Sequence, residues 1–255
     1  MEKVSYCGDG IVVPHLSSRY VVKSERWDSH QILPVRFTRA EMGISSQDAT
    51  QMHGLFWNDL CSEYDAENFC RYLEVSGIKL SPEFLALERV WRYDERNHYL
   101  GFRKIYAMLY GDNEESVAEM LAVRPVDFAP IAPFFVDEFT ILLVMAYDEI
   151  ATTRSYHEDY PMYKAFGMQF FKWIQLVTRD EAFHFHNCLE IVKLRYPDRI
   201  REVPKVIERL MEWDLHGGTY QGTFVLDHEG KYFTEDFLLG CAGRINAYLG
   251  QGVRA

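Results

Sequence analysis

From about Gln51 onward, apolar residues recur at helical spacing over most of the chain, and Gly, Pro and capping residues cut the pattern into four long segments. Residues 1–50 have little periodicity and hold Gly8, Gly10, Pro14, Pro34 and Gly43, so an extended arm with a few short turns is expected there. The first long helix is expected from about Thr50 to Val75, closed by Ser76-Gly77. The second opens at Ser81-Pro82, an N-cap followed by proline at the first helical position, and runs to Tyr110, where Gly111 stops it. A short helix over Glu114–Leu121 leads into a link containing Pro125, Pro130 and Pro133. The third long helix is expected from about Phe134 to Tyr156. Its middle is apolar on nearly every side, which places it at the centre of the fold. Pro161 is expected to break it. The fourth runs from about Ala165 to Arg195, ahead of Pro197-Asp198. Two further helices, over Val203–Trp213 and about Glu235–Leu249, flank glycine-containing loops. No repeat and no convincing alternating strand is present. The pattern predicts an all-α fold in one domain, 1–255. Its parts are an arm (1–50), a four-helix core (50–195) and C-terminal helices and loops (196–255).

Composition narrows the function classes. With 255 residues and 48% hydrophobic content, the chain can bury one large core. A net charge of −11 is wrong for general attraction to phosphates, so no nucleic-acid partner is expected. The longest apolar stretch, Ile141–Ala146, is flanked by Glu138 and Glu149 and is too short to span a bilayer, so no membrane association is expected. The N-terminus shows no secretory pattern. Cys7, Cys61, Cys70, Cys188 and Cys241 are odd in number and scattered, as free thiols in a reducing cytoplasm would be.

Two motifs carry chemistry. Glu95-Arg96-Asn97-His98 lies in the middle of the second helix and Glu181-Ala182-Phe183-His184 in the middle of the fourth. A step of three residues turns a helix by about 300° and rises about 4.5 Å, so each Glu and His point to one side and can grip one metal. An aspartate precedes each glutamate, Asp94 and Asp180, and is expected to orient a ligand histidine. Bundles that hold two irons add a single Glu from each of the other two helices. On the third helix Glu149 is the candidate, a carboxylate in an apolar stretch where an unpaired charge would be costly. Glu138 is about 16 Å away along the axis and Asp148 points about 100° aside. On the first helix Glu63 competes with Glu67 and Glu74. Glu95 lies 14 residues after Ser81, whereas Glu63 lies 13 before Ser76 and Glu67 only 9. Across adjacent antiparallel helices Glu63 therefore matches in depth within about 1.5 Å, and Glu67 misses by about 7 Å. Glu63 is preferred, with Glu67 in reserve. Four carboxylates balance two divalent ions, and a mixed carboxylate and imidazole set suits iron or manganese. His186 falls on the opposite side of its helix from His184, and His157, His216 and His228 are expected in loops or at the surface.

At these residues the chain resembles the soluble acyl-carrier-protein desaturases, a branch of the ferritin-like di-iron oxidases. The likeness rests on Trp91 to His98, on Asp180 to His184, on Glu149-Ile150-Ala151-Thr152 and on Asp59-Leu60-Cys61-Ser62-Glu63. Weaker matches are Trp27 with Leu33-Pro34, and Tyr196-Pro197-Asp198. The resemblance implies a ferritin-like four-helix bundle with metal ligands Glu63, Glu95, His98, Glu149, Glu181 and His184. It also implies two Fe ions, O2 as co-substrate and hydrogen abstraction from an aliphatic acyl chain, free or on a carrier protein. Thr152 would sit beside the O2 site and deliver protons. Trp27, Asp180 and His98 would pass electrons from a ferredoxin-like donor, and the protein would be a homodimer. Gln221 stands where the family usually has an acidic residue, a departure that bears on proton and electron delivery. The same ligands would also serve N-oxygenation or C–C cleavage as the alternative chemistry, with ferroxidase or storage activity as a third. An acyl chain would need an apolar pocket, for which Phe139, Leu143, Phe170, Phe171 and Phe183 are candidates. An acidic carrier would need a basic patch, for which Lys164, Lys172, Lys193, Arg195 and Arg199 are available.

Overall fold

Ser45 starts the first long helix. Its hydroxyl accepts the Asp48 N–H (3.1 Å), while the Asp48 carboxylate accepts the N–H of Ser45 (3.3 Å), a reciprocal cap. Helix α2 therefore spans Ser46–Val75 and begins four residues earlier than the Thr50 expected from periodicity. In the computed structural model the described residues are 5–7, 10–12, 21–216, 226, 228 and 232–250, the first two groups in backbone only. Gln221 and the glycine-containing loop around it lie outside the described residues.

The arm is more structured than expected. Strands β1 (Ser5–Cys7), β2 (Gly10–Val12) and β3 (Val21–Lys23) form an antiparallel sheet in that order, with Tyr6 opposite Ile11 and Ile11 opposite Val22. Strands of three residues are too short to show a period of two, which is why the sequence pattern missed them. A short helix, α1 (Ser29–Ile32), follows. Together these clamp the arm to the helices behind it. The amide and carbonyl of Lys23 pair with the Asn187 side chain (2.9 Å each), the N–H of Ser29 donates to Asn97 Oδ1 (2.9 Å), and Trp173 Nε1 donates to the Ser29 hydroxyl (2.9 Å).

The remaining elements are α3 (Pro82–Tyr110), α4 (Glu114–Ala122), a 3-10 turn (Ala129–Phe134), α5 (Glu138–Phe166), α6 (Met168–Arg195), a second 3-10 turn (Pro197–Glu202), α7 (Val203–His216) and α8 (Glu235–Tyr248). The expected limits of α3 hold: Ser81 caps its start, and Gly111 closes it at φ 79°, a left-handed conformation that suits glycine. Two expectations for α5 fail. Phe134 belongs to the 3-10 turn, because the Asp137 carboxylate caps Thr140 (2.8 Å) and fixes the start at Glu138. Pro161 does not break the helix. The carbonyl that loses its partner belongs to exposed His157, where water can take the acceptor, and α5 runs on to Gly167. Helix α6 follows directly at Met168, three residues later than expected.

Among the described residues the fold is all-α apart from the small sheet. Helix α5 packs along α6, α2 along α3, and α3 against α6, while α7 and α8 cover α5. Gly101 on α3 allows the close approach of α6: a Cβ there would lie 2.4 Å from Trp173 Nε1. Two apolar clusters fill the interior. One holds Phe69, Trp91, Leu143 and Leu189 at one end of the long helices, and the other holds Phe56, Phe102, Tyr163 and Ile174 at the other. Between them, each of the four long helices contributes a polar turn. Among the described residues no helix is long and apolar enough to cross a membrane.

Candidate metal centre

The polar turns meet at one place. Glu63 of α2, Glu95 and His98 of α3, Glu149 of α5, and Glu181 and His184 of α6 are all buried, with the two histidines fully enclosed. They form two groups that could hold a metal ion. Glu63, Glu95, His98 and Glu181 make one, and Glu95, Glu149, Glu181 and His184 make the other; within each group the donor atoms lie within 4.8 Å of one another. Glu95 and Glu181 belong to both. Glu181 reaches both histidines, with Oε1 3.1 Å from His98 Nδ1 and Oε2 3.0 Å from His184 Nδ1.

The surroundings repeat this twofold plan. The Nδ1 atoms face the carboxylates, and each Nε2 faces an aspartate. Asp180 Oδ2 is 3.3 Å from His98 Nε2, and Asp94 Oδ2 is 3.3 Å from His184 Nε2. Each aspartate thus supports the histidine of the opposite helix. An Nε2–H donated to Asp leaves Nδ1 unprotonated and available as a metal donor. The outer oxygens of the end carboxylates are also held. Tyr156 donates to Glu63 Oε1 (2.7 Å), and Trp91 Nε1 donates to Glu149 Oε1 (2.6 Å).

Without a metal the cluster is electrostatically crowded. Burial, together with the charges of Glu181 and Glu63, pushes the Glu95 carboxyl well above its ordinary range. Burial also raises Glu149, with Glu181 adding to it and His184 only partly offsetting it. For both histidines burial favours the neutral ring, but facing carboxylates outweigh it and hold them well above the usual value: Glu181 and Glu63 for His98, Glu149 and Asp94 for His184. Burial opposes the charge of Glu181 too, yet the flanking histidines push its value down. Glu63 Oε2, Glu95 Oε1, His98 Nδ1 and Glu181 Oε1 are buried without a hydrogen-bond partner. Orphaned donor atoms of one cluster, all turned inward, are what a metal site leaves when only its protein part is considered, so the residues fit the group the sequence implied.

The rival residues sit elsewhere. Glu67 is tied to Arg92 (2.6 Å and 2.5 Å) and Glu74 to the same guanidinium (3.1 Å), which removes the reserve ligand from the centre. Glu138 accepts from the Ser81 and Tyr196 hydroxyls at the start of α5. His186 pairs with Tyr248 away from the centre, as expected. His228 lies outside the helices, one of the two places expected for it, but not at the surface. It is an interior residue, its Nδ1 2.7 Å from Asp214 Oδ2 and its Nε2 3.4 Å from Asp148 Oδ1. Its loop position in sequence hid this, because only the fold brings α5, α7 and residue 228 together. Thr152 lines the cavity beside Glu149, whereas it is Thr153 that commits its hydroxyl to the helix, donating to the Glu149 carbonyl (2.7 Å). Cys61, Cys70, Cys188 and Cys241 are buried and none is paired with another of these four in a disulfide, as expected.

A cavity of about 1170 Å³ reaches the centre, with Glu63, Glu95, Glu149 and Glu181 in its wall. The rest of the wall mixes polar groups, among them Asn58, Asp59, Ser62, Ser155 and Asp159, with apolar ones such as Leu55, Trp57, Met162 and Phe233. None of Phe139, Leu143, Phe170, Phe171 or Phe183 lines it; Phe139 and Leu143 pack in one core cluster, and Phe170 in the other. The expected basic patch is largely neutralised, since Lys193 pairs with Glu190, Arg195 with Glu83 and Arg199 with Asp137.

The chain matches no protein-family model, no curated protein and no solved structure. The resemblance to the desaturases thus rests on the motifs alone.

Proposed function

We propose that this protein is an O2-dependent non-haem di-iron oxidoreductase on a ferritin-like four-helix bundle. One observation carries the reading: two buried four-donor groups that share Glu95 and Glu181. Four carboxylates match the charge of two ferrous ions, so filling the site would relieve the crowding that raises Glu95 and Glu149. Glu63 and His98 would complete one ion's set, and Glu149 and His184 the other's. When bound, such an ion pair supplies the electrons and Lewis acidity for reducing O2.

The other roles belong to this chain's side chains. Asp94 and Asp180 fix the tautomers of His184 and His98. Tyr156 and Trp91 hold the end carboxylates in place. Thr152, on the cavity wall next to Glu149, is positioned to pass protons to the centre. Half-buried Trp27 donates to Asp180, which meets His98, so one contact chain leads from the surface inward. This is the path we assign to electrons from a ferredoxin-like donor. Ferroxidase activity is the second reading, favoured by the acidic residues Asp59, Glu158 and Asp159 on the cavity wall, past which an iron ion could enter.

Metal analysis tests the proposal. The protein as purified after anaerobic Fe(II) loading should hold two irons per chain and consume O2, and Glu181→Ala should lose both properties, since that residue faces both histidines. A wild type without iron, or a Glu181→Ala variant that keeps it, would overturn the assignment. Turnover of Fe(II) alone, without an organic substrate, would favour the second reading.

A further inference from the structure

Helices α2 and α3 bring together a second group of side chains, none of them a metal ligand. His53 and Trp57 on α2 face Tyr106 and Tyr110 on α3, each pair one helical turn apart. The Tyr106 ring centre lies 5.6 Å from that of Trp57 and 4.6 Å from that of Tyr110, and His53 sits edge-on to both tyrosines. Such contacts serve to pack two helices. Two features go beyond packing. Trp57 lines the cavity that reaches the metal centre, about 9 Å along α2 from Glu63. The Tyr106 hydroxyl, on a residue only 4% exposed, lies 2.8 Å from Nε2 of His53, which is exposed.

Trp and Tyr side chains can each give up one electron to a strong oxidant. A phenol does so readily only when a positioned base takes its proton. Burial pushes the Tyr106 phenol above its ordinary value, so it keeps its proton until it is oxidised. His53 is placed as the base, and its exposure lets the proton exchange with water. Tyr110 is placed differently: its hydroxyl donates to the Ala49 carbonyl (3.0 Å), which cannot hold a proton. The cavity wall also carries Met52, Met162 and Cys61, which a strong oxidant would convert to oxygenated forms.

We propose that Trp57 and Tyr106 form an escape route for oxidising equivalents, used when O2 is reduced at the centre with no substrate in the cavity. The inference rests on the oxidase reading, which supplies the oxidant. Trp57 gives it one electron and becomes a radical cation. Tyr106 then gives one electron to Trp57 and its hydroxyl proton to His53, leaving a neutral tyrosyl radical, an intact indole and an imidazolium. A one-electron reductant in solution restores Tyr106, with the proton returned from His53. The methionines and the thiol on the wall are thereby spared.

Electron paramagnetic resonance on freeze-quenched samples tests it. Fe(II)-loaded protein is mixed with O2 without substrate, and iron content and O2 consumption are measured on the same preparation. A tyrosyl signal is expected that is lost in Tyr106→Phe, falls several-fold in Trp57→Phe and His53→Leu, and persists in Tyr110→Phe. Peptide mass mapping should show Met52 and Met162 gaining oxygen several-fold faster in Trp57→Phe and Tyr106→Phe than in the wild type. Circular dichroism confirms that each variant folds. In parallel, metal-free protein is oxidised by flash-generated tris(bipyridine)ruthenium(III); the part of its tyrosyl signal that Tyr106→Phe removes should also fall in His53→Leu. Two irons and O2 consumption without a Tyr106-dependent signal, or with equal methionine oxidation in wild type and variants, would overturn the inference and leave the oxidase reading standing. No iron or no O2 consumption, with a Tyr106-dependent signal in the metal-free protein, would sink the oxidase reading and keep Tyr106 as the radical site. Absence of that signal in both preparations would overturn the inference whatever the iron content.

Discussion

In one half of the centre Glu63 is held by Tyr156, and His98 by Asp180; in the other Glu149 is held by Trp91, and His184 by Asp94. The ligand types match, but the settings do not. Asp180 also accepts from Trp27 and from Arg179 Nη2 (3.1 Å), groups of the arm and the surface, and Trp27 stacks on His98 with ring centres 6.0 Å apart. On the other side Trp91 packs edge-on against Phe69 within the apolar cluster. A symmetrical pair of motifs has thus been placed so that one half communicates with the exterior while the other is anchored in the core. Similar donor sets need not be equivalent once their outer contacts differ.

The largest test of this contrast is removal of one end carboxylate at a time. Glu63→Ala and Glu149→Ala should each lower iron from two to about one per chain by mass spectrometry, because the shared Glu95 and Glu181 remain for the other ion. Loss of both irons in either variant would show that the halves load as a unit.

A smaller effect is expected from the aspartates. Asp94→Asn and Asp180→Asn should each weaken iron retention about 10- to 100-fold in competition with a chelator. Asp180→Asn should also change Trp27 fluorescence, since the indole N–H loses a charged acceptor. If Asp94→Asn changes the same signal, the contrast between the halves fails.

The subtlest difference is between the metal-free and iron-loaded forms as pH changes. Glu95, Glu149 and both histidines hold protons more tightly in the folded protein than in the unfolded chain. Their stabilising contribution is therefore fully present below about pH 4 for the glutamates and about 6.5 for the histidines, and is lost as pH rises through the folded values. Glu181, shifted down, acts in the opposite sense, but only below the ordinary carboxylate range. Iron binding needs the ligands deprotonated, so it strengthens with pH. Thermal unfolding without metal should thus move to lower temperature between about pH 5 and 8, while the stabilisation added by iron grows. Parallel curves for the two forms would mean that these six residues do not bind the metal.

Some helix limits could be read directly from local capping chemistry, while the equally local caps at Ser45 and Asp137 were missed. Ser81-Pro82 and Gly111 bounded α3 as expected. Pro161 misled because the cost of a proline depends on what surrounds the freed carbonyl, and here that carbonyl is at the surface. Glu63 was separable from Glu67 by depth along α2, and the Arg92 clamp on Glu67 supplies the physical reason. Tyr156 gave no signal at all: its role depends on α5 meeting α2, which no spacing within one helix encodes. Which phenylalanines line a cavity was illegible for the same reason. A phenylalanine on a helix is equally compatible with core and cavity until its neighbours are known.

By itself the sequence determined the four long helices, the six buried donors and their division into two Glu-x-x-His pairs with one added glutamate on each remaining long helix. Those follow from periodicity and from the turn of a helix, which are local. Only the tertiary structure decided that Glu95 and Glu181 belong to both donor groups, that each aspartate meets the histidine of the opposite helix, and that a cavity with Asp59 in its wall reaches the centre. These depend on distances between residues far apart in the chain, set by how the apolar faces pack.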